Sequence, residues 1–482
     1  MDRADPVDPV RLTATGDAAL QNRDYAATVA AFEQVVPLRP DDVRVLLNLG
    51  GALKELGRFE EALGFLRRAV SLDPARHAAW SNIGTVCLEL QRYDDAIAAF
   101  SNALRLKPDH GPALSGLGVT LRRRGLPIEA LGLLDLAIAA SPDDADLRTA
   151  RSFAYLAAGD YRKGFAEYEW RLHTRIFSDG LPKGPSWKGE PLAGRTLLLH
   201  GEGGLGDILQ FCRFIPLLHA LDCRLVMQVP QPLVRLMSRI FGIPVLADAA
   251  ALPPYDLFCS LMSLPYVLGM TIDTVPCAGG YLVADPDIVA RWQTVLDRDA
   301  ADRHPGPGSH RPPLKVGLVW SGGRRPWHLE NLLMDSRRST SLSALAPLAR
   351  CADDAVFYSL QLGEAAAEIT DPAGALPIID HTALIRDFDD TAGLVSLLDL
   401  VIAVDTSTAH LAAALGRPVW LLSRYDQCWR WLPGRTDTPW YRSMRIHTQP
   451  APFDWGSPIA KVTADLLDWS IDPLPRRGRE AS

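Results

Sequence analysis

The stretch TLLLHGEGGLGDILQFCRFIPLL, Thr196 to Leu218, decides how the larger part of this chain folds. It runs from a short apolar strand, through a turn holding Gly201, Gly203, Gly204 and Gly206, into an apolar helix. Strand, glycine turn and helix in that order open a βαβ unit, and Asp207 stands where the turn enters the helix. Gly201, Gly203 and Gly206 also fit the G-x-G-x-x-G spacing of a dinucleotide-binding turn. Such a turn needs an Asp or Glu at the end of the next strand to hold the ribose. Here that strand, RLVMQVPQP, ends in Gln228 and Pro230, and Asp222 lies ahead of it. The missing acid argues against NAD or FAD. Asp207 then has two readings. It is a carboxylate favoured by a helix start, or a reactive group at the cleft end of an α/β lobe.

Downstream the alternation continues. Strand-like runs RLVMQV and DLFCSL are followed, after the Pro/Gly/His-rich RHPGPGSHRPP, by KVGLVW, VFYSLQ, LVIAVD and PVWLL, with helical runs between them. This pattern predicts parallel sheets in two Rossmann-like lobes, residues 196–302 and 314–470, joined by a linker at 303–313. Their facing strand ends would form a ligand cleft. The tail 471–482, with PRRGRE, is expected to be disordered.

Upstream the chain repeats. Pro40, Pro74, Pro108 and Pro142 lie 34 residues apart, and Gly16, Gly50, Gly84 and Gly118 keep that period. So do Ala62, Ala96 and Ala130, and the large side chains Phe32, Leu66, Phe100 and Leu134. Tyr25, Phe59 and Tyr93 are in phase too, with Tyr161 in a degenerate last repeat. The period and residue types resemble the tetratricopeptide repeat, in which small residues let two helices of a hairpin pack closely. The reading is an α-solenoid over 12–175, four repeats plus a degenerate fifth, after a disordered tail at 1–11 and before a linker at 176–195. The fold class is thus an N-terminal α-solenoid followed by an α/β part. Solenoids present a concave surface to peptides or proteins. Asn48 and Asn82 share a phase on successive first helices, where they either hydrogen-bond an extended peptide or solvate the groove.

The totals exclude several classes. A net charge of −7 over 482 residues gives no basic field for nucleic acid. The acidic start MDRADPVDPVRL lacks the apolar core of a signal peptide, and no run reaches the roughly 18 apolar residues of a membrane span. Seven scattered cysteines without C-x-x-C suit reduced thiols in a cytoplasm.

A second cluster of polar residues follows the strand ending at Val404. Asp405, Thr406, Ser407 and Thr408 open a helix that carries His410, a pattern suited to a diphosphate. Arg337 or Arg338 of SRRSTSL could neutralise a phosphate, and Gln361 ends the strand VFYSLQ at the same edge. DFDD, Asp387 to Asp390, contains a D-x-D triplet, read as a loop and helix cap, with no metal expected. The aromatic-rich QCWRWLPGRTDTPWY either shapes a sugar or acceptor pocket or packs as a loop of the second lobe.

These segments resemble a known family. GLGDILQFCRFIPLL, KVGLVWSGG, RRSTSLSALAPLA, FYSLQLGEAAAEI, DFDDTAGLVSLLDLVIAVDTSTAHLAAALGRPVW and WRWLPGRTDTPWYRSMRIH are similar to bacterial proteins that fuse tetratricopeptide repeats to a glycosyltransferase. Their catalytic part resembles the lipopolysaccharide heptosyltransferases, with a GT-B fold. The layout also resembles O-GlcNAc transferase and the repeat-bearing flagellin glycosyltransferases. The resemblance implies a catalytic aspartate at Asp207. It implies a sugar-nucleotide motif at Asp405, Thr406, Ser407 and His410, with Ser407 in place of the family's glycine. The family's phosphate-binding lysine falls near Arg338. Donor contacts are expected at Gly206, Arg338, Gln361, Asp405, Thr406, Ser407, Thr408 and His410, and acceptor or peptide contacts at Asn48, Asn82 and Gln210. The implied activity is an inverting, metal-independent transfer from a nucleotide-diphosphate sugar, with no other cofactor. The acceptor is a protein docked by the repeats, such as flagellin. The alternatives are a saccharide acceptor, with the repeats recruiting a partner, and an interaction scaffold with an inactive transferase domain.

Overall fold

A computed structural model describes residues 8–174, 180–247, 251–276, 279–302, 312–323, 329–370 and 376–471. The chain divides into two compact units, Met1–Ala158 with Pro326–Leu333, and Gly159–Arg325 with Met334–Ser482.

In the first unit, helical hairpins pair α1 (Pro9–Gln21) with α2 (Tyr25–Val35), α3 (Val43–Glu55) with α4 (Phe59–Leu72), α5 (His77–Glu89) with α6 (Tyr93–Leu106), and α7 (Gly111–Arg123) with α8 (Pro127–Ala140). α9 (Ala145–Ala157) follows. Asp8 accepts the Val10 N–H at 2.9 Å and Pro9 pre-sets the first turn, so α1 begins inside the segment expected to be a disordered tail. Residues 1–7 lie outside the described residues. The turn inside each hairpin puts residues 23, 57 and 91 in the left-handed region, with Arg23 at φ 57°, Gly57 at 76° and Gln91 at 58°; Gly125 follows at 83°.

The repeating glycines meet the repeating large side chains. A Cβ on Gly16, Gly50, Gly84 or Gly118 would press on Phe32, Leu66, Phe100 or Leu134 respectively. At Gly84 three Phe100 ring atoms would lie 2.6–2.8 Å away. The Cζ end of that ring lies against Gly116 of the next repeat. Gly116 holds the phase of Asn48 and Asn82, so the asparagine ladder stops where the ring needs room. Ala is the better helix former by about 1 kcal/mol, but overpacking a ring that cannot retreat costs about 1–3 kcal/mol. Gly84→Ala is therefore expected to lower the stability of the repeat unit by about 1 kcal/mol, the overpacking cost less the helix gain. An unchanged urea midpoint would refute this packing account.

The second unit holds two parallel sheets. The first has the order β3-β2-β1-β4, from β1 (Thr196–His200), β2 (Arg224–Val229), β3 (Val245–Ala247) and β4 (Leu257–Ser260). The second runs β10-β9-β8-β5-β6-β7, from β5 (Leu314–Val319), β6 (Ala355–Ser359), β7 (Ile378–Ile379), β8 (Leu400–Val404), β9 (Val419–Ser423) and β10 (Met444–Thr448). All pairings are parallel, as in Leu198↔Val226 and Val316↔Leu400. Buried on both faces, the central strands read as unbroken apolar runs, LVIAV in β8 being the clearest. In the first sheet the chain steps outward from β1 to β3, then returns to the other side of β1. In the second it leaves β5 in both directions. The strand order thus reverses between β1 and β4 and between β5 and β8, where α/β sheets open their ligand crevices.

Three boundaries differ from the sequence expectation. The second unit begins at Gly159, and α10 (Tyr161–Tyr168) with the turn Glu169–His173 is buried in it, whereas the periodicity carried the repeat array to residue 175. The expected linker 176–195 joins the first sheet in part: Ser186 bridges to Phe258 and the Trp187 N–H donates to Phe258 O at 2.7 Å. The helix Pro286–Asp302 packs on the second lobe, its Trp292 indole donating to Asp390 O at 2.9 Å, although the lobe boundary had assigned it to the first. Most of the expected linker 303–313, residues 303–311, and most of the tail 471–482, residues 472–482, lie outside the described residues.

Candidate functional site

α11 (Leu205–Phe211) starts directly after the glycine turn. The Asp207 carboxylate accepts the Gly204 N–H at 2.8 Å, a helix-start role. Its other oxygen accepts from Arg430 Nη2 at 2.5 Å. Arg430 is buried between aromatic rings, its guanidinium 4.5 Å from the Trp429 ring centre and 5.7 Å from that of Phe211. Its Nε donates to Gln210 Oε1 and its Nη1 to Cys428 Sγ. Arg430 belongs to the loop after β9, so the ion pair joins the two lobes of the second unit.

The second cluster forms at the end of β8. α16 (Ser407–Ala414) is preceded by Thr406, and no side chain caps its first turn; the helices between α11 and α16 in chain order include α12 (Gln231–Phe241), α13 (Pro286–Asp302), α14 (Leu329–Arg338) and α15 (Phe388–Ser396). The Thr406 hydroxyl donates to Val404 O at 3.1 Å, while Ser407 and Thr408 stay partly exposed. The Asp405 carboxylate accepts the Trp431 indole N–H at 3.0 Å and lies 3.7 Å from His410 Nε2. Burial works against the Asp405 charge. The His410 ring, the Trp431 N–H and Arg338 outweigh it and hold the carboxyl well below the usual carboxylate range. His410 stacks on Trp431 at 5.5 Å and shares a 2.9 Å hydrogen bond with the Tyr441 hydroxyl. Burial pushes the Tyr441 phenol up, so it stays neutral. Arg338, at the end of α14, pairs with Asp335 at 2.7 Å and donates to Asp405 O at 3.3 Å. Gly322, after β5, leaves the space its guanidinium fills, since a Cβ there would sit 2.5 Å from Nε.

The two clusters meet. A Cβ on Gly206 would stand 2.8 Å from His410 Cδ2 and 3.4 Å from Ser407 Cα, so only glycine lets the start of α11 touch the start of α16. Buried Arg213 fixes this contact: it donates to Trp440 O at 2.7 Å and to the Tyr281 hydroxyl at 3.0 Å, and Tyr281 in turn donates to Leu209 O. The structure therefore gathers Gly206, Asp207, Arg338, Asp405, Thr406, Ser407, Thr408 and His410 around the two crevices.

Two expected site residues do other work. Gln361 is buried, and its Oε1 accepts the N–H groups of Trp320 and Ser321 at 3.1 and 2.8 Å, holding the turn after β5. Gln210, expected to meet an acceptor, is fully buried and positions Arg430 instead. Asn48 and Asn82 sit half-buried on α3 and α5 of the repeat unit. In DFDD, Asp387 caps α15 by accepting from Asp389 and Asp390 N–H groups. Arg235, Arg239, Arg291 and Arg386 take up the three carboxylates. No group of three or more metal-ligating side chains occurs among the described residues.

The sequence reading missed Arg430, Tyr441, Arg171 and Glu202. Arg171, fully buried, donates to Glu202 Oε1 at 2.5 Å, to Glu169 Oε1 at 2.8 Å and to the Ser263 hydroxyl at 2.9 Å. It thus fills the crevice between β1 and β4 with a side chain of this chain's own. A cation flanked by two tryptophans, as in WRW, was a visible signal for Arg430; nothing local marks Arg171.

One similarity with known proteins, a family match, agrees with the repeat reading. The Tetratricopeptide repeat family matches residues 13–77 and 82–145. Protein FlbA of Caulobacter vibrioides is 29% identical over 465 residues, covering 90% of this chain and 74% of that protein. Among solved structures, MamA is 21% identical, covering 37% of this chain and 98% of its own at a TM-score of 0.31. The tetratricopeptide protein TTC0263 of Thermus thermophilus is 21% identical, covering 35% and 92% at 0.32. No described helix is long and apolar enough to cross a membrane. The N-terminal unit is an array of tetratricopeptide repeats, and such arrays suggest a protein-binding role.

Proposed function

We propose that the second unit transfers a sugar, with inversion, from a nucleoside-diphosphate sugar to an acceptor hydroxyl, and that the repeats dock a protein acceptor. One observation carries this reading: Gly206 brings the helix start bearing Asp207 against the helix start bearing His410. An acceptor held there meets a carboxylate at one side and an anion-binding helix start at the other. Asp207 takes the hydroxyl proton as the acceptor oxygen bonds to the anomeric carbon. The bond from that carbon to the diphosphate breaks through an oxocarbenium-like state. The leaving diphosphate keeps the electron pair, and Arg338 with the first turn of α16 offsets its charge. Parallel-sheet lobes facing each other are the layout of a GT-B transferase, which supports the assignment.

A hydrogen bond to a charged group contributes about 1.5–3 kcal/mol. His410→Ala is therefore expected to weaken nucleoside-diphosphate binding by about tenfold or more. Calorimetry with UDP, ADP and GDP, preceded by a thermal-shift screen of nucleotide sugars, checks this. Unchanged affinity in the variant would remove the α16 start from the donor site.

A further inference from the structure

Arg430 occupies a position that the transfer reading leaves without a task. Its Nη2 pairs with Asp207, and it is followed by Trp431, which donates to Asp405 and stacks on His410. One cation is thus paired with the carboxylate proposed to accept a proton and joined in the chain to the residue that contacts the helix start proposed to hold the diphosphate. Its plane is fixed by Trp429, Phe211 and Gln210, so little ordering remains when it changes partner. The Gln210 amide Nε2, fully buried, finds no hydrogen-bond partner among the described residues. The side chain that orients Arg430 is therefore itself incompletely satisfied.

Resting on the transfer reading, we propose that Arg430 hands its charge pairing from Asp207 to the leaving diphosphate during transfer. The electron and proton balance requires such a movement of charge. Before reaction Asp207 is an anion and the acceptor hydroxyl is neutral. The hydroxyl proton moves to Asp207, the acceptor oxygen bonds to the anomeric carbon, and the carbon–oxygen bond to the diphosphate breaks with its electron pair on the phosphate oxygen. One negative charge has then left Asp207 and one has appeared on the diphosphate. Arg430 loses its partner as a new one forms beside it. A fixed, largely desolvated guanidinium with spare Nη1 and Nη2 hydrogens makes the stronger charge-assisted bonds to phosphate. Arg338, which donates to Asp405 O, would act on the same diphosphate as a second cation.

The handover has a signature that a structural role lacks. Neutralising Asp207 should free Arg430 for the diphosphate in advance. Asp207→Asn is therefore expected to bind nucleoside diphosphate several-fold more tightly than the wild type, as like charge is removed and Arg430 released. Arg430→Met should weaken binding about tenfold, Arg430→Lys should restore most of it, and the gain from Asp207→Asn should be clearly smaller in the Arg430→Met background, where only the removal of like charge remains. The test is calorimetric titration of the full chain with UDP, ADP and GDP, with thermal unfolding of each variant alongside. An undiminished gain from Asp207→Asn in Arg430→Met, or wild-type affinity in a folded Arg430→Met, overturns the handover while leaving the donor site intact. Should folding fail in Arg430→Met, the gain in Asp207→Asn alone decides: its absence overturns the proposal. No binding of any of these diphosphates to the wild type overturns both the handover and the transfer reading.

Discussion

Asp207→Asn is expected to lower sugar transfer by about 10²–10⁴-fold while nucleoside-diphosphate binding persists. The substitution keeps an oxygen able to accept the Gly204 N–H, so the helix start survives. It removes the ability to take a proton. The magnitude separates two readings of this residue. A carboxylate that only caps α11 is worth about 1 kcal/mol of stability, and its amide replaces it well. Such a role would leave turnover nearly unchanged. Its ion-pair partner Arg430, a cation, cannot take over as a general base. The measurement is transfer from whichever nucleotide sugar shifts the unfolding temperature, followed by mass spectrometry of the acceptor. Near-normal turnover would take Asp207 out of the base role, whereas no transfer by the wild type from any nucleotide sugar would favour a protein-binding scaffold built on the repeats.

The sequence showed most of the framework because its signals are local or periodic. The 34-residue period identified the hairpins, and the pairing of Gly84 with Phe100 was visible as two small and large phases. Apolar runs ending in turn residues located β1, β2, β4, β5, β6, β8 and β9, since parallel strands buried on both faces leave no alternation to confuse with helix. β3 and β7, three and two residues long, carry too few side chains to stand out, and the MRIHT run of β10 is interrupted by Arg445 and His447. Asp207 and the Asp405–His410 run were legible because helix starts after glycines or hydroxyls have their own residue chemistry. Arg430 was not singled out and Gln210 was given to an acceptor, as their pairing is a contact 220 positions apart in the chain. The same limit explains the misplaced end of the repeats. Tyr161 keeps the repeat phase, yet its hydroxyl accepts from the Trp440 indole at 2.9 Å and its ring lies against Trp429 and Trp440. Periodicity reports the hairpin; it does not report what the hairpin's outer face is packed on.

That packing leads to the largest effect on stability. A chain beginning at Gly159 should fold as the second unit, whereas a chain beginning after residue 175 should not. The shorter chain loses Tyr161 and Phe165, buried in a cluster with Phe211, Trp429 and Trp440, and also the buried Tyr168. It also loses Arg171, leaving Glu202 buried without its cation. Removing a large buried aromatic costs about 3–5 kcal/mol, and removing one partner of a buried ion pair about 3–5 kcal/mol. Either loss is comparable to the roughly 5–15 kcal/mol that holds a domain folded. In the full chain, Arg171→Met isolates the ionic part: it keeps the stem volume and leaves the Glu202 carboxylate in the glycine turn unpaired. The expected result is a fall of about 3–5 kcal/mol in the stability of the second unit. The double change Arg171→Met with Glu202→Gln should recover part of it, because an amide buried there costs less than a charge. Thermal and urea unfolding of the two truncated chains and of both variants measure this. Equal stability of the chains starting at 159 and after 175 would show that α10 is a passenger. A full-size loss on truncation with no loss in Arg171→Met would assign the stability to the aromatic cluster and leave Glu202 to tolerate its charge alone.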